Sequence, residues 1–231
     1  MRSGAILRAT GVRAAYRGVD VVGGVDLEVN SGEVVGVLGR NGMGKSSLLG
    51  AIFGLVDRPG GSVEIGGTRI PARKPVAASR AGASFLPEDR GVFPSLTVAE
   101  NLALAKRRGA MPFEPTEVFP MLGERARQAA GSLSGGQKQQ LGVARTVLSA
   151  TSLLAIDELT HGLQPSMVVE TFRLLRRVAD SGLGVLVIDQ NPELITRHCD
   201  RVLVMEGGRV ALEATVGDDT LDRVRGILAL G

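Results

Sequence analysis

Three observations predict an α/β fold built on a largely parallel sheet. An apolar run, Val34-Val35-Gly36-Val37-Leu38, leads into a glycine-rich loop and then a helical pattern from Ser46 to Gly54. Two further runs, Ser152-Leu153-Leu154-Ala155-Ile156 and Gly184-Val185-Leu186-Val187-Ile188, each end in Asp and a second polar residue. Apolar stretches of this length suit strands covered on both faces, as parallel strands are. Between them Pro165 opens an amphipathic pattern over Ser166 to Asp180, carried by Val168, Val169, Phe172, Leu175, Val178 and Ala179. Strands alternating with helices define the class.

The loop Gly39-Arg40-Asn41-Gly42-Met43-Gly44-Lys45-Ser46 reads G-x-x-x-x-G-K-S. It has the strand before it and the helix after it that this motif needs to count as a phosphate site. Glycines let main-chain N–H groups crowd against a polyphosphate, and the helix start adds unpaired N–H groups and a positive dipole end. Lys45 is expected to reach the β- and γ-phosphates, and the Ser46 hydroxyl to ligate Mg²⁺. The implied ligand is a nucleoside triphosphate.

Composition sets the frame. A chain of 231 residues suits one large domain or two intimately packed lobes. The formal net charge of +3 is mild and unclustered, which gives no reason to expect nucleic acid as a partner. Cys199 is the single cysteine, so no internal disulfide can form; a reducing compartment and a buried structural role are expected for it. The N-terminus, MRSGAILRATG, lacks the apolar core of a secretory signal. Stretches such as Leu48 to Val56 fall short of the roughly 20 apolar residues that span a bilayer, so a membrane role would be exercised through partner chains.

Taken in order, residues 5–10 and 25–29 read as short strands. Tyr16 lies between them. Its ring could stack on an adenine, or it could be a half-buried strand tyrosine; the residues alone leave both open. Arg58-Pro59-Gly60-Gly61 marks a turn before a strand over 62–67, and a buried strand over 82–86 is stopped by Pro87, with Glu88 next. Thr97 and Glu100 form a capping-box pattern for a helix over 97–108. Pro112, Pro115 and Pro120 mark short helices and loops over 109–131. Approximately residues 88–149 are therefore expected to be a mostly helical lobe within an α/β core of 1–87 and 150–231. Leu133-Ser134-Gly135-Gly136-Gln137 opens a helix to about Ser149, with Ser134 as N-cap and two glycines exposing N–H groups, a second anion-binding helix start. Asp157 suits holding Mg²⁺, directly or through water, and Glu158 suits deprotonating an attacking water. Val202–Met205 and Arg209–Leu212 read as a hairpin, and the tail from Gly217 as one helix.

The order of these motifs resembles an ABC-transporter ATP-binding subunit over essentially the whole chain. The resemblance implies a P-loop NTPase core with a mostly parallel sheet, N-terminal antiparallel β strands and an inserted helical lobe. It places Tyr16 as the adenine-stacking aromatic, Gly39, Arg40, Asn41, Gly42, Gly44, Lys45, Ser46 and Ser47 on ATP, and Ser46, Glu88 and Asp157 on Mg²⁺. Two subunits then pair head to tail, and Ser134, Gly135, Gly136 and Gln137 of each close on the other's ATP. Glu158 and Gln190 become the catalytic residues.

The stretch Leu86 to Leu102 looks closest to subunits of branched-chain amino-acid importers, which often have Glu where Glu88 stands and a Gln-Asn pair where Gln190-Asn191 stands. Gly162-Leu163-Gln164-Pro165 and Val224-Arg225-Gly226 look equally like the related urea importers. Three residues depart from the family pattern: Leu159 for a proline, Gln164 for an aspartate and Gln190 for the switch histidine. His161 falls beside the inter-subunit loop, while His198 is expected on a helix surface. The expectation is an ATPase on the cytoplasmic face of the membrane, energising an importer of branched-chain or other hydrophobic amino acids. Its partners would be transmembrane permeases and, indirectly, an extracytoplasmic substrate-binding protein. A urea or short-chain amide importer is the near alternative, and a soluble ABC ATPase without a transport role the distant one.

Overall fold

The computed structural model describes residues 4–107, 113–160 and 163–230. Pro112, His161 and Gly162 lie outside the described residues. Among the described residues the strands form two sheets. The first is antiparallel, with strands β1 (Ala5–Tyr16), β2 (Val19–Asn30), β4 (Ser62–Ile65) and β5 (Thr68–Arg69) in the order β2-β1-β4-β5. The second has the order β10-β9-β3-β8-β7-β6, from β3 (Val34–Leu38), β6 (Ala83–Leu86), β7 (Leu153–Asp157), β8 (Gly184–Ile188), β9 (Arg201–Glu206) and β10 (Arg209–Thr215). Its pairings are parallel except for the β9–β10 hairpin.

The apolar runs are explained by what covers them. Successive strand side chains face opposite ways. Val34 and Leu38 of β3, Leu154 and Ile156 of β7, and Val185 and Val187 of β8 join one core, while Val35, Val37, Leu153, Ala155, Leu186 and Ile188 join another. Helices α5 (Gly135–Ser149) and α6 (Pro165–Asp180) cover the first face. Helix α1 (Lys45–Ile52) and the antiparallel sheet cover the second. The remaining helices are α2 (Pro75–Arg80), α3 (Val98–Ala105), α4 (Pro120–Glu124), α7 (Pro192–His198) and α8 (Thr220–Leu230). Between β6 and β7 the described chain is helical or irregular, with 3₁₀ turns at Pro115–Glu117 and Ala130–Ser132.

The strand order positions the site. β3, β8, β7 and β6 are successive neighbours and run the same way, so the segments leaving their carboxyl ends lie side by side. Those segments carry, in order, the glycine loop, Asp189-Gln190, Asp157-Glu158 and Pro87-Glu88.

Two expectations need correcting. β1 and β2 are 12 residues each rather than short strands over 5–10 and 25–29. Their pairing slips register at several points, and Gly11 and Gly24 take positive φ there, so the period-2 signal breaks although pairing continues. Helix α2, which no expectation covered, opens with Pro75 at its first position and has no side-chain cap from Lys74. His198 is not a surface residue: it is half-buried and stacks on Phe172 of α6, with ring centroids 4.5 Å apart. Burial, and then Arg197, holds its imidazole below the ordinary histidine range. Cys199 beside it is buried, and burial pushes its thiol up to about 12.

Candidate active site

Between β3 and α1 the glycine loop makes its turn on residues that tolerate φ > 0. Gly44 caps α1 in the left-handed conformation at φ 92°, and a Cβ there would stand 2.7 Å from the Val21 carbonyl. Only glycine satisfies both constraints. Lys45 opens the helix, is 5% exposed, and its Nζ donates to the carbonyls of Gly39 (2.7 Å) and Arg40 (2.9 Å). Desolvation lowers its pKa, while the charges of Glu158, Asp157 and Asp189 oppose that shift. The ammonium thus folds back over the loop, within the field of three carboxylates. Arg40, Asn41, Gly42 and Ser46 are exposed, and Ser47 is partly so.

Asp157, the last residue of β7, is 5% exposed. Burial raises its carboxyl pKa, a hydrogen bond from Ser46 opposes the rise, and the charges of Glu158 and Glu88 add to it. Its Oδ1 is buried without a hydrogen-bond partner. An orphaned buried acceptor beside a serine hydroxyl is what a hard cation would complete, since Mg²⁺ takes one or two carboxylates and fills its shell with phosphate oxygens and waters. Asp157 and Ser46 fit that role; Glu88, exposed in the segment after β6, contributes charge.

Glu158 follows at once with φ 51°, a left-handed backbone that costs a non-glycine residue about 1–3 kcal/mol unless its surroundings hold it. Its Oε1 accepts a hydrogen bond from Nε2 of Gln190 at 3.0 Å. Leu159, standing where a proline was expected, is fully buried. Gln190 lines two hollows. One, of about 430 Å³, is shared with Glu158, Thr160, Asp189 and Asn191. The other, of about 450 Å³, is shared with Gly39, Arg40, Asn41 and Leu228. Both are in the range of small-molecule sites.

The fold thus brings together the glycine loop, Asp157, Glu158 and Gln190. Tyr16 and the start of α5 do not line these hollows. Tyr16 ends β1 and is 48% exposed. Ser134 caps α5 through a complete capping box: Gln137 N–H donates to Ser134 Oγ (3.3 Å), and Ser134 N–H donates to Gln137 Oε1 (3.0 Å). Ser134 and Gly135 are exposed, and Gly136 and Gln137 partly so. Gln164 is the N-cap of α6 and makes no side-chain cap bond. Sequence reasoning missed Asp189, a buried carboxylate at the carboxyl end of β8. Its only signal was a charged residue directly after a fully buried strand.

A glycine loop on a helix start, with a buried aspartate and then a glutamate at the carboxyl end of the parallel strand β7, defines a nucleoside-triphosphate hydrolase of the P-loop class. The family model described as ABC transporter matches residues 22–161, and the chain belongs to that family. It is an ATPase of that family, converting ATP and water to ADP and phosphate.

A ribose import ATP-binding protein, RbsA 1 of Rubrobacter xylanophilus, is 36% identical over 90% of this chain, which spans 45% of that relative's length. The high-affinity branched-chain amino acid transport ATP-binding protein BraG of Pseudomonas aeruginosa is 33% identical over 88% of this chain and 90% of its own. The lipopolysaccharide export ATP-binding protein LptB of Escherichia coli is also 33% identical, over 91% of each chain. A solved ATP-binding subunit of an ABC transporter superposes with a TM-score of 0.83 at 25% identity, covering 97% of this chain and 99% of that one. Among the described residues no helix is long and apolar enough to cross a membrane.

Proposed function

We propose that the chain is the ATP-hydrolysing engine of an ABC importer for branched-chain or other hydrophobic amino acids. One observation carries the mechanism, the 3.0 Å hydrogen bond between Gln190 Nε2 and Glu158 Oε1 beside the glycine loop. On this reading Lys45 leaves the Gly39 and Arg40 carbonyls for the β- and γ-phosphates, and the N–H groups of Gly39 to Ser47 cradle the rest. Ser46 and Asp157 would hold Mg²⁺, with the charge of Glu88 nearby, and the ion when bound would neutralise phosphate charge. Glu158 takes the proton of the attacking water. Gln190 holds that carboxylate and offers its amide N–H to the γ-phosphate, doing the work of a switch histidine. Tyr16 stacks on adenine from its exposed strand end.

Ser134 to Gln137 serve the other subunit. Their exposure at a helix start supports a head-to-tail pair in which each α5 closes on the partner's nucleotide. Membrane partners dock, on this reading, over a groove lined by Phe53, Leu55, Pro75, Phe85, Leu104 and Arg107. Leu55 and Leu104 are 49% and 66% exposed there, an apolar rim that water does not favour. The engine is then peripheral, on the cytoplasmic face, and meets a substrate-binding protein only through the permeases.

The amino-acid reading rests on the Leu86 to Leu102 stretch, on Gln190-Asn191 and on the relative BraG. Relatives named for ribose import and lipopolysaccharide export match it about as well. The test is whether the chain co-purifies with a multi-helix membrane protein, followed by ATPase assay of that complex in proteoliposomes. Stimulation by a binding protein loaded with leucine or valine is expected. Stimulation by urea, ribose or lipopolysaccharide instead would replace the substrate, and recovery without any membrane protein would favour the soluble class.

A further inference from the structure

Asp189 is 2% exposed and takes no part in the chemistry just described. Its carboxylate accepts four hydrogen bonds, and they come from two different loops. Oδ1 accepts the main-chain N–H of Gln190 (2.8 Å) and of Asn191 (2.9 Å), and the Thr160 hydroxyl (3.1 Å). Oδ2 accepts the main-chain N–H of Thr160 (3.0 Å). Thr160 stands two residues beyond Glu158, and Gln190 is the side chain that holds Glu158. All four donors therefore belong to the loops that carry the catalytic pair.

The pair needs such a frame. Glu158 keeps a left-handed backbone that a non-glycine residue holds only when its neighbours fix it. On its far side the fixing points are Leu159, fully buried, and Thr160, bound twice to Asp189. The amide-to-carboxylate bond between Gln190 and Glu158 competes with water, so its net worth is small against the freedom of two loops.

We propose that Asp189 is a positioning residue for hydrolysis: by bonding Thr160 on one side and the Gln190-Asn191 main chain on the other, it locks Glu158 and Gln190 into one unit. The proposal rests on reading Glu158 as the base and Gln190 as its partner. Asparagine is the sharp probe. It keeps the volume of Asp189, but its NH₂ must face either the three donors at Oδ1 or the Thr160 N–H at Oδ2, and donors cannot satisfy donors.

The experiment measures ATP turnover and ATP affinity of the full chain, singly and in combination. Asp189→Asn is expected to lower kcat at least tenfold, a loss of the size a misplaced catalytic group produces, with ATP affinity within about twofold of wild type. On a Gln190→Ala background the same change is expected to cost less than about twofold more, because the pair it positions is already uncoupled. Wild-type turnover in Asp189→Asn, or losses that multiply fully in the double variant, would overturn the proposal. Thr160→Val and Thr160→Ser give a test that survives if Asp189→Asn does not fold. Valine should slow turnover and serine restore it; equal rates would overturn the proposal. If Gln190→Ala alone hydrolyses ATP at the wild-type rate, the catalytic reading falls and takes this inference with it.

Discussion

On the proposed reading, Asp157 is kept for Mg²⁺ at the expense of stability. Burial raises its carboxyl pKa in the folded chain above that of the unfolded one. A raised carboxyl favours folding only while it is protonated, and the gain is lost as pH rises through the folded-state value. Once pH passes that value, the folded chain carries a buried carboxylate whose Oδ1 has no hydrogen-bond partner. Asp157→Asn should unfold at a higher temperature than wild type at pH 7 without nucleotide, by about 2–4 °C for each kcal/mol recovered. The difference should close as pH falls into the aspartate range, and reverse when Mg²⁺ and ATP are added. Thermal scans at several pH values, with and without Mg²⁺-ATP, check all three outcomes. Gln190 yields a second residue-scale prediction. Gln190→His should retain turnover near pH 8 and lose it below about pH 6.5, where imidazolium would pair with Glu158 and weaken it as a base. A flat pH profile would mean that this position does not face the base.

At the scale of elements, what was legible in the sequence was what is decided locally. The capping box of Thr97 with Glu100 and the N-cap Ser134 are decided within four residues each, and both are formed, the second as a full box with Gln137. The buried strands β3, β7 and β8 were legible because both faces are covered, so every position is apolar. The glycine loop and Asp157-Glu158 of the candidate site could be proposed from the sequence because motif and context are contiguous. Asp189 was not, because its partner Thr160 lies 29 residues away and only the adjacency of β7 and β8 brings them together. Nor was the packing of α5, where Gly142 looks like a weak helix residue. A Cβ there would stand 2.7 Å from the Arg90 carbonyl, in the segment that follows Glu88, while Arg90 Nε donates to Gln139 Oε1 one turn earlier. Gly142→Ala should therefore cost about 1–3 kcal/mol by overpacking, despite alanine's better helix propensity. Gly123→Ala in α4 meets nothing within 4 Å and should stabilise by about 0.5–1 kcal/mol. Denaturant midpoints of the two variants should move in opposite directions.

The whole molecule is half of its own proposed site. Ser134 to Gln137 start α5 in the open, away from the hollows that hold Glu158 and Gln190. If a second chain supplies that helix start, ATP is shared between two surfaces and its binding energy becomes association energy. Hydrolysis would normally release the pair before it accumulates. Glu158→Gln preserves the side chain's shape but cannot take a proton from water, so the bound state should persist. On gel filtration this variant should run as a monomer alone and as a dimer with ATP and Mg²⁺. Adding Ser134→Arg, which puts a long cation where the capping hydroxyl stands, should return it to monomer while leaving nucleotide bound within each chain. A Glu158→Gln chain that stays monomeric at millimolar ATP would place the second phosphate contact elsewhere. A double variant that still dimerises would remove the α5 start from the interface.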